Sequence, residues 1–271
     1  MGKRIIFIGL FLIVVLTACT KRNFSEFTDS PIIESYIQPG DYLNLRVSRQ
    51  IPFSSDVEYS TDDINVLKIK VTNGTKTYNL TPLGNGKYID STIVVKEGET
   101  YELSFTFNSK NVSAYTRIPE KPLNFIQSDF SISVDRMDRT FGPPLGGPGS
   151  MPEPVTLKWD NDDESYYIVV IENLESILDP IRDFGDDGPP GNVFKKPPTS
   201  SSGLQLRPQE FQYFGKHRLI LYHVLPDYAS LYSEKTTSSQ NLTNPSTSIM
   251  NGYGIFTGLS SDTLFLDVIE N

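Results

Sequence analysis

The sequence predicts a mainly β fold made of two tandem β-sandwich domains, and three features lead to that reading. Apolar residues recur at every second position through most of the chain, glycine- and asparagine-rich turn signals separate the runs, and a pair of prolines near residue 120 divides them into two sets. With 38% hydrophobic and 11% aromatic residues in 271, the chain has enough apolar surface for real cores, and its length suggests one or two domains. One cysteine and two histidines supply neither a disulfide framework nor an ordinary Cys/His zinc site, so no cofactor is expected.

The chain opens on Met1-Gly2-Lys3-Arg4, a short basic start, followed by an apolar run over residues 5–16 interrupted only by Gly9. As a helix those residues reach roughly 18 Å, short of a hydrocarbon core of about 30 Å, so the segment reads as a signal peptide rather than a span. It ends in Leu16-Thr17-Ala18-Cys19, which resembles the lipobox of bacterial lipoproteins. The resemblance implies that residues 1–18 are removed and that Cys19 is lipidated as the new N-terminus, with several acyl chains giving stable membrane attachment. Position 20 is Thr and not the Asp associated with inner-membrane retention, so the resemblance also implies the outer membrane, with its periplasmic or surface face left open. Without the leader the charge is −11, which argues against a nucleic-acid partner. Residues 19–30 are polar and without apolar period, as a tether would be.

The first domain is expected over residues 31–118. Residues 32–37 begin it. Leu43, Leu45 and Val47 alternate with Asn44, Arg46 and Ser48, and Leu67, Ile69 and Val71 alternate with Lys68 and Lys70. Asn73-Gly74 supplies a positive-φ turn toward a strand around Tyr78, and Gly84-Asn85-Gly86 reverses the chain toward Tyr88. Residues 93–95, then Tyr101, Leu103, Phe105 and Phe107, then residues 114–118 complete about seven short strands. That is the strand count of an immunoglobulin-like sandwich.

Ile118-Pro119-Glu120-Lys121-Pro122 interrupts the ladder and marks the boundary to a second domain over residues 119–271. There Phe130, Ile132 and Val134 alternate, a Gly/Pro-rich stretch fills residues 141–149, and Val155, Leu157 and Trp159 alternate again. Residues 166–171 are apolar on both faces and should form a central strand. A second proline- and glycine-rich insertion covers residues 179–203, after which residues 219–224 read as strand. Asp227 can cap a short helix whose Tyr228, Leu231 and Tyr232 share one face, and Leu264, Leu266 and Val268 close the chain.

Val155-Thr-Leu-Lys-Trp159-Asp160 with Tyr166-Tyr-Ile-Val-Val170 resembles the second and third strands of a fibronectin type III domain, so the second unit is expected to be fibronectin type III-like with long loops and a short helix. Residues 221–232 and Asn251-Gly252-Tyr253-Gly254-Ile255-Phe256 resemble the C-terminal signature of a Bacteroidetes outer-membrane lipoprotein family of unknown function; Tyr36-Ile37-Gln38-Pro39-Gly40 and Gly98-Glu-Thr-Tyr101 also fit. That resemblance carries over no catalytic residue. It implies a partner class, because similar lipoproteins often accompany TonB-dependent outer-membrane transporters.

Acidity is concentrated in the second unit, net −10 against −1 for residues 19–118, and ten acids lie between Asp160 and Asp187 against Arg182 alone. Such a field attracts a cation or a basic partner surface. Asp160, Asp162 and Glu164 have the one-three-five spacing of a calcium loop, but Ser165 and Ile171 stand where the sharp turn and the bidentate glutamate belong, so a solvated turn is the simpler reading. Asp183, Asp186 and Asp187 are the acidic candidates for partner contact, and Tyr253 and Phe256 the aromatic ones. His217 and His223 read as structural: general base chemistry needs a histidine oriented by a carboxylate and facing a nucleophile, a convergence that residue order does not show, and no Gly-x-Ser-x-Gly elbow occurs. Gly142 and Gly146-Gly147-Pro148-Gly149 lack the amides, the lysine and the helix start of a phosphate loop. The expectation is a lipid-anchored, non-enzymatic binding or accessory protein presenting loops 137–153 and 179–203 to a transporter or an envelope ligand. A structural or adhesive spacer is the alternative, and an envelope hydrolase the third reading.

Overall fold

The computed structural model describes residues 29–50, 62–137, 153–185, 190–234 and 247–271. The chain enters at Asp29, whose carboxylate accepts from Arg49 Nε at 3.2 Å and from Asn108 Nδ2 at 3.1 Å, while Arg49 Nη1 also reaches Asp63 at 3.0 Å. Strands β1 (Pro31–Ile37) and β2 (Tyr42–Arg49) follow, then a one-turn helix Asp62–Asn65 that the sequence does not announce. Next come β3 (Lys70–Asn73), β4 (Lys76–Asn79), β5 (Thr81–Gly84), β6 (Lys87–Val94), β7 (Thr100–Phe107) and β8 (Lys110–Arg117). The predicted reversals are real: Gly74 has φ 57°, and Gly84, Asn85 and Gly86 all have positive φ.

These strands form two layers. One sheet runs β1-β2-β6-β5 and the other β4-β3-β7-β8. Period-two alternation turns Ile33, Leu43, Leu45, Val47, Tyr101, Leu103, Phe105 and Phe107 inward to a shared core. Of residues 93–95, expected as a separate strand, Ile93 and Val94 instead end β6, which passes Tyr42 and Leu43 with a register shift.

The second half contains β9 (Ile126–Gln127), β10 (Ser131–Val134), β11 (Val155–Lys158), β12 (Tyr166–Asn173), β13 (Val193–Lys195), β14 (Gly203–Leu206) and β15 (Gly215–Val224). A helix, Pro226–Glu234, and the 18-residue β16 (Tyr253–Glu270) complete it. The three-stranded sheet β14-β11-β9 faces β12, β15 and the second half of β16 across a core that includes Leu157, Trp159, Tyr167, Val169, Leu219 and Leu266. As expected, β12 is central and apolar on both faces. Its odd-numbered side chains enter this core, while Ile168 and Val170 join Ile220, Val224 and Leu259 in a third cluster on the outer face, against which Tyr222, Tyr228 and Tyr232 pack.

The mainly β, sandwich-like class therefore holds, with two departures from a simple tandem. First, β16 belongs to both halves: Tyr253 to Gly258 pair in parallel with β1, and Leu259 to Val268 pair antiparallel with β15. Ile249 and Phe256 lie in the first core, so the C-terminal segment returns across the expected boundary at 118/119. Second, the pairings of β16 with β1 and of β16 with β10 are parallel, unlike the antiparallel ladders that sequential strands usually form. Two glycines allow the close approach. A Cβ on Gly254, at φ +96°, would sit 2.0 Å from the Ile33 carbonyl oxygen, and one on Gly258 would sit 2.5 Å from that of Arg117. Around the predicted proline joint, Gly258 N donates to Thr116 Oγ1 at 2.8 Å and Ser260 Oγ donates to the Pro119 carbonyl. The joint is thus packed on the middle of β16.

Candidate functional site

The shared strand places an outer face of β1 beside the outer faces of β12 and β15, and a groove of about 500 Å³ lies there. Its aliphatic floor is Ile168, Val170, Ile220, Val224 and Leu259, and its aromatic walls are Tyr36, Tyr222 and Tyr228. This volume falls in the range of ordinary ligand sites, which combine apolar lining with a few polar groups. The outward residues of β1, Glu34 and Tyr36, also line an adjoining groove of about 400 Å³ together with Arg46, Leu83 and Lys87, so the two share a wall.

Alternation explains why these side chains face outward: Ile33 and Ser35 are buried whereas Glu34 and Tyr36 are exposed. The helix Pro226–Glu234 supplies the far wall. Asp227 Oδ1 accepts from Tyr228 N at 2.8 Å and from Thr257 Oγ1 at 3.0 Å, which ties the helix start to β16. Tyr228 then meets Tyr36 edge to face at 5.6 Å. Burial raises the pKa of all three phenols, with neighbouring tyrosines adding at Tyr228, Glu34 at Tyr36 and Glu172 at Tyr222, so each keeps its proton at neutral pH; the Tyr228 hydroxyl is bonded to Tyr232. Arg218 Nε donates to Glu172 Oε2 at 3.0 Å. Arg46, Lys87, Lys195 and Glu34 take part in no ion pair among the described residues.

The residues expected from sequence lie elsewhere. Phe256 is 0% exposed in the first core, so it packs rather than contacts a partner, which corrects its reading as a surface aromatic. Tyr253 is half-buried where β16 opens beside Ile32, and the Asn251-Gly-Tyr-Gly segment is a turn only at Asn251 and Gly252 before the strand begins. Asp183 is exposed and caps Gly185 N at 2.8 Å; Asp186 and Asp187 lie outside the described residues, as does Cys19. The insertion 179–203, expected as a free contact loop, docks instead: β13 adds an edge strand to β12, and Tyr213 donates to the Pro190 carbonyl. Most of loop 137–153 lies outside the described residues.

Asp160 accepts from Asn124 Nδ2 at 2.6 Å, and Asp163 caps Ser165, whose hydrogen bonds hold its carboxyl below the usual range. Asp160, Asp162 and Glu164 do not converge, and no cluster of three metal-ligating side chains occurs among the described residues. His217 is 3% exposed; its Nδ1 faces the Gly215 carbonyl at 2.9 Å and its Nε2 lies 3.3 Å from Asn173 Nδ2, and burial lowers its pKa. His223 stacks on Tyr167 at 4.8 Å with its Nδ1 2.8 Å from the Glu120 carbonyl oxygen. Both rings are engaged in holding strands together.

Sequence reasoning passed over Tyr36, Tyr222, Glu34, Arg46, Lys87 and Lys195. Alternation alone marks them as outward-facing. Only the pairing of β1 with β16 sets them around one concavity.

Fold and groove together define a class: a mainly β, two-core protein with an aromatic-walled open groove on the shared sheet. Within it the chain belongs to the DUF4249 family, a domain of unknown function, matched over residues 22–264. Comparison with curated proteins finds no match. Among solved structures it is similar to the crystal structure of Salmonella alpha-2-macroglobulin mutant Y1175G, at 8% identity and a TM-score of 0.25, over 90% of this chain and 15% of that one. No helix among the described residues is long and apolar enough to cross a membrane.

Proposed function

We propose that this protein is a lipid-anchored, non-enzymatic binding or accessory protein of the outer membrane, tethered through Cys19 and engaging its partner through the groove beside β1, β12 and β15. The observation that carries the reading is the groove itself, about 500 Å³ with three tyrosines over an aliphatic floor, built where the two cores share β16. Residues 1–19 support the anchor through their basic start, apolar run and Leu-Thr-Ala-Cys ending. The engagement of both histidines in structural contacts favours binding over hydrolysis. The partner is a TonB-dependent transporter or an envelope ligand, a class drawn from the resemblance of the C-terminal segment.

Two measurements test this. Labelled palmitate should enter the wild-type chain and not Cys19→Ser, which should leave the membrane fraction. Pull-down from solubilised outer membranes should recover one partner with the wild type and several-fold less with the Tyr36→Ala/Tyr222→Ala variant. A partner retained equally by that variant removes the groove from the function, and recovery of no partner favours a spacer. An Asp183→Asn/Asp186→Asn/Asp187→Asn variant tests the acidic segment by the same readout, and unchanged capture excludes it.

A further inference from the structure

We infer that the groove takes an anionic sugar chain, a linear oligosaccharide carrying carboxylate or phosphate groups. This rests on the reading of the groove as the binding site and names its ligand class. β1 lies between β16 and β2, and β12 between β13 and β15, so the backbones of the floor strands are committed to the ladders and recognition on the floor falls to side chains; only β13, at the rim, keeps an open edge. An extended peptide laid on this floor would face Ile168, Val170 and Ile220 with alternate side chains, and its amides, lying along the floor, would find no strand partner there. A sugar does better, because its ring presents C–H faces to aromatic side chains while its hydroxyls point to the rim. There the protonated phenols of Tyr36 and Tyr222 and the Glu34 carboxylate supply donors and acceptors, the Tyr228 hydroxyl being bonded to Tyr232.

Charge selects the kind of sugar. Glu172 and Arg218 satisfy one another, which leaves Arg46, Lys87 and Lys195 against Glu34 and, beside Tyr222, Asp41, a local excess of +1 on a chain of net charge −9. Such an inversion of sign on one face complements an anion and is screened by salt. Length selects a chain: the adjoining volumes of about 500 and 400 Å³ meet at Glu34 and Tyr36, with the free cations at opposite ends, Lys195 in one and Arg46 and Lys87 in the other.

The test uses the full chain purified in detergent, with polygalacturonate, neutral dextran and polyglutamate as probes. Polygalacturonate should bind, weaken with added salt, and bind about tenfold less tightly to Arg46→Gln/Lys87→Gln and to Tyr36→Ala, two sets of surface changes that leave both cores intact. Failure of polygalacturonate to bind overturns the inference, as does equal binding of dextran. Equal binding of polyglutamate with no effect of Tyr36→Ala also overturns it, and assigns the face to acidic protein segments instead. If the sugar arm fails while Tyr36→Ala/Tyr222→Ala still lowers partner capture, the ligand class falls and the groove's role in binding stands.

Discussion

Gly254→Ala asks whether the parallel seam between β1 and β16 holds the two halves together. The backbone at this position has φ +96°, outside the small left-handed well that L-residues tolerate, and a non-glycine residue forced there costs about 1–3 kcal/mol. The added Cβ would also stand 2.0 Å from the Ile33 carbonyl oxygen, which is backbone and cannot swing aside, so the strands must separate and lose ladder bonds worth about 1 kcal/mol each. The expected loss is at least about 3 kcal/mol, a large part of a typical domain's margin. Gly74→Ala is the internal control. Gly74 also has positive φ, +57°, but nothing lies within 4 Å of its Cβ, so only the conformational cost of about 1 kcal/mol should appear. Urea unfolding followed by tryptophan fluorescence, with Trp159 buried in the second core, reads both variants. Because β16 crosses both cores, Gly254→Ala should lower the midpoint seen by this distant probe. A loss for Gly254→Ala no larger than for Gly74→Ala would refute the close approach, and with it the shared strand.

Three further outcomes follow from the same geometry. Phe256→Ala should destabilise by about 3–5 kcal/mol in the same urea titration, as expected for a fully buried aromatic; a change under about 0.5 kcal/mol would return Phe256 to the surface. Burial holds the His217 pKa below its ordinary 6.5 in the folded state, so as pH falls past that value the unfolded chain takes up a proton that the native one resists. Stability from this group is complete above about pH 6.5 and declines below it toward the lowered folded pKa; His217→Asn should flatten that part of the pH dependence, and an unchanged slope would contradict it. Millimolar calcium should leave the unfolding midpoint unmoved, because Asp160 is engaged by Asn124 and the acidic turn does not converge; a calcium-dependent rise abolished by Asp160→Asn/Asp162→Asn would revise that.

Much of the fold could be read directly from residue order. Strict alternation in Leu43, Leu45 and Val47, and in Tyr101, Leu103, Phe105 and Phe107, identifies both the strand and its buried face, since side chains on a strand have no third direction. Gly84-Asn85-Gly86 names its own reversal through positive φ, and the two-sided apolar run at 166–171 marks a central strand. The site was far less legible. Asp160, Asp162 and Asp183 attract attention as charges in a row, yet each is solvated or occupied with a local turn, while the groove residues are spread over Glu34, Arg46, Lys87, Lys195 and Tyr222 with no common spacing.

The residue order by itself determined local matters: which stretches are strands, which face of each is apolar, and where the turns fall. Tertiary structure alone decided that β16 serves two cores, that Val193–Lys195 within the insertion form an edge strand, and that Tyr36 meets Tyr228 across 5.6 Å. The division has a physical cause. Side-chain alternation is a property of one strand, whereas pairing between residues some 220 positions apart, such as Ile33 with Gly254, depends on which edges are left open once every other strand has found its partner.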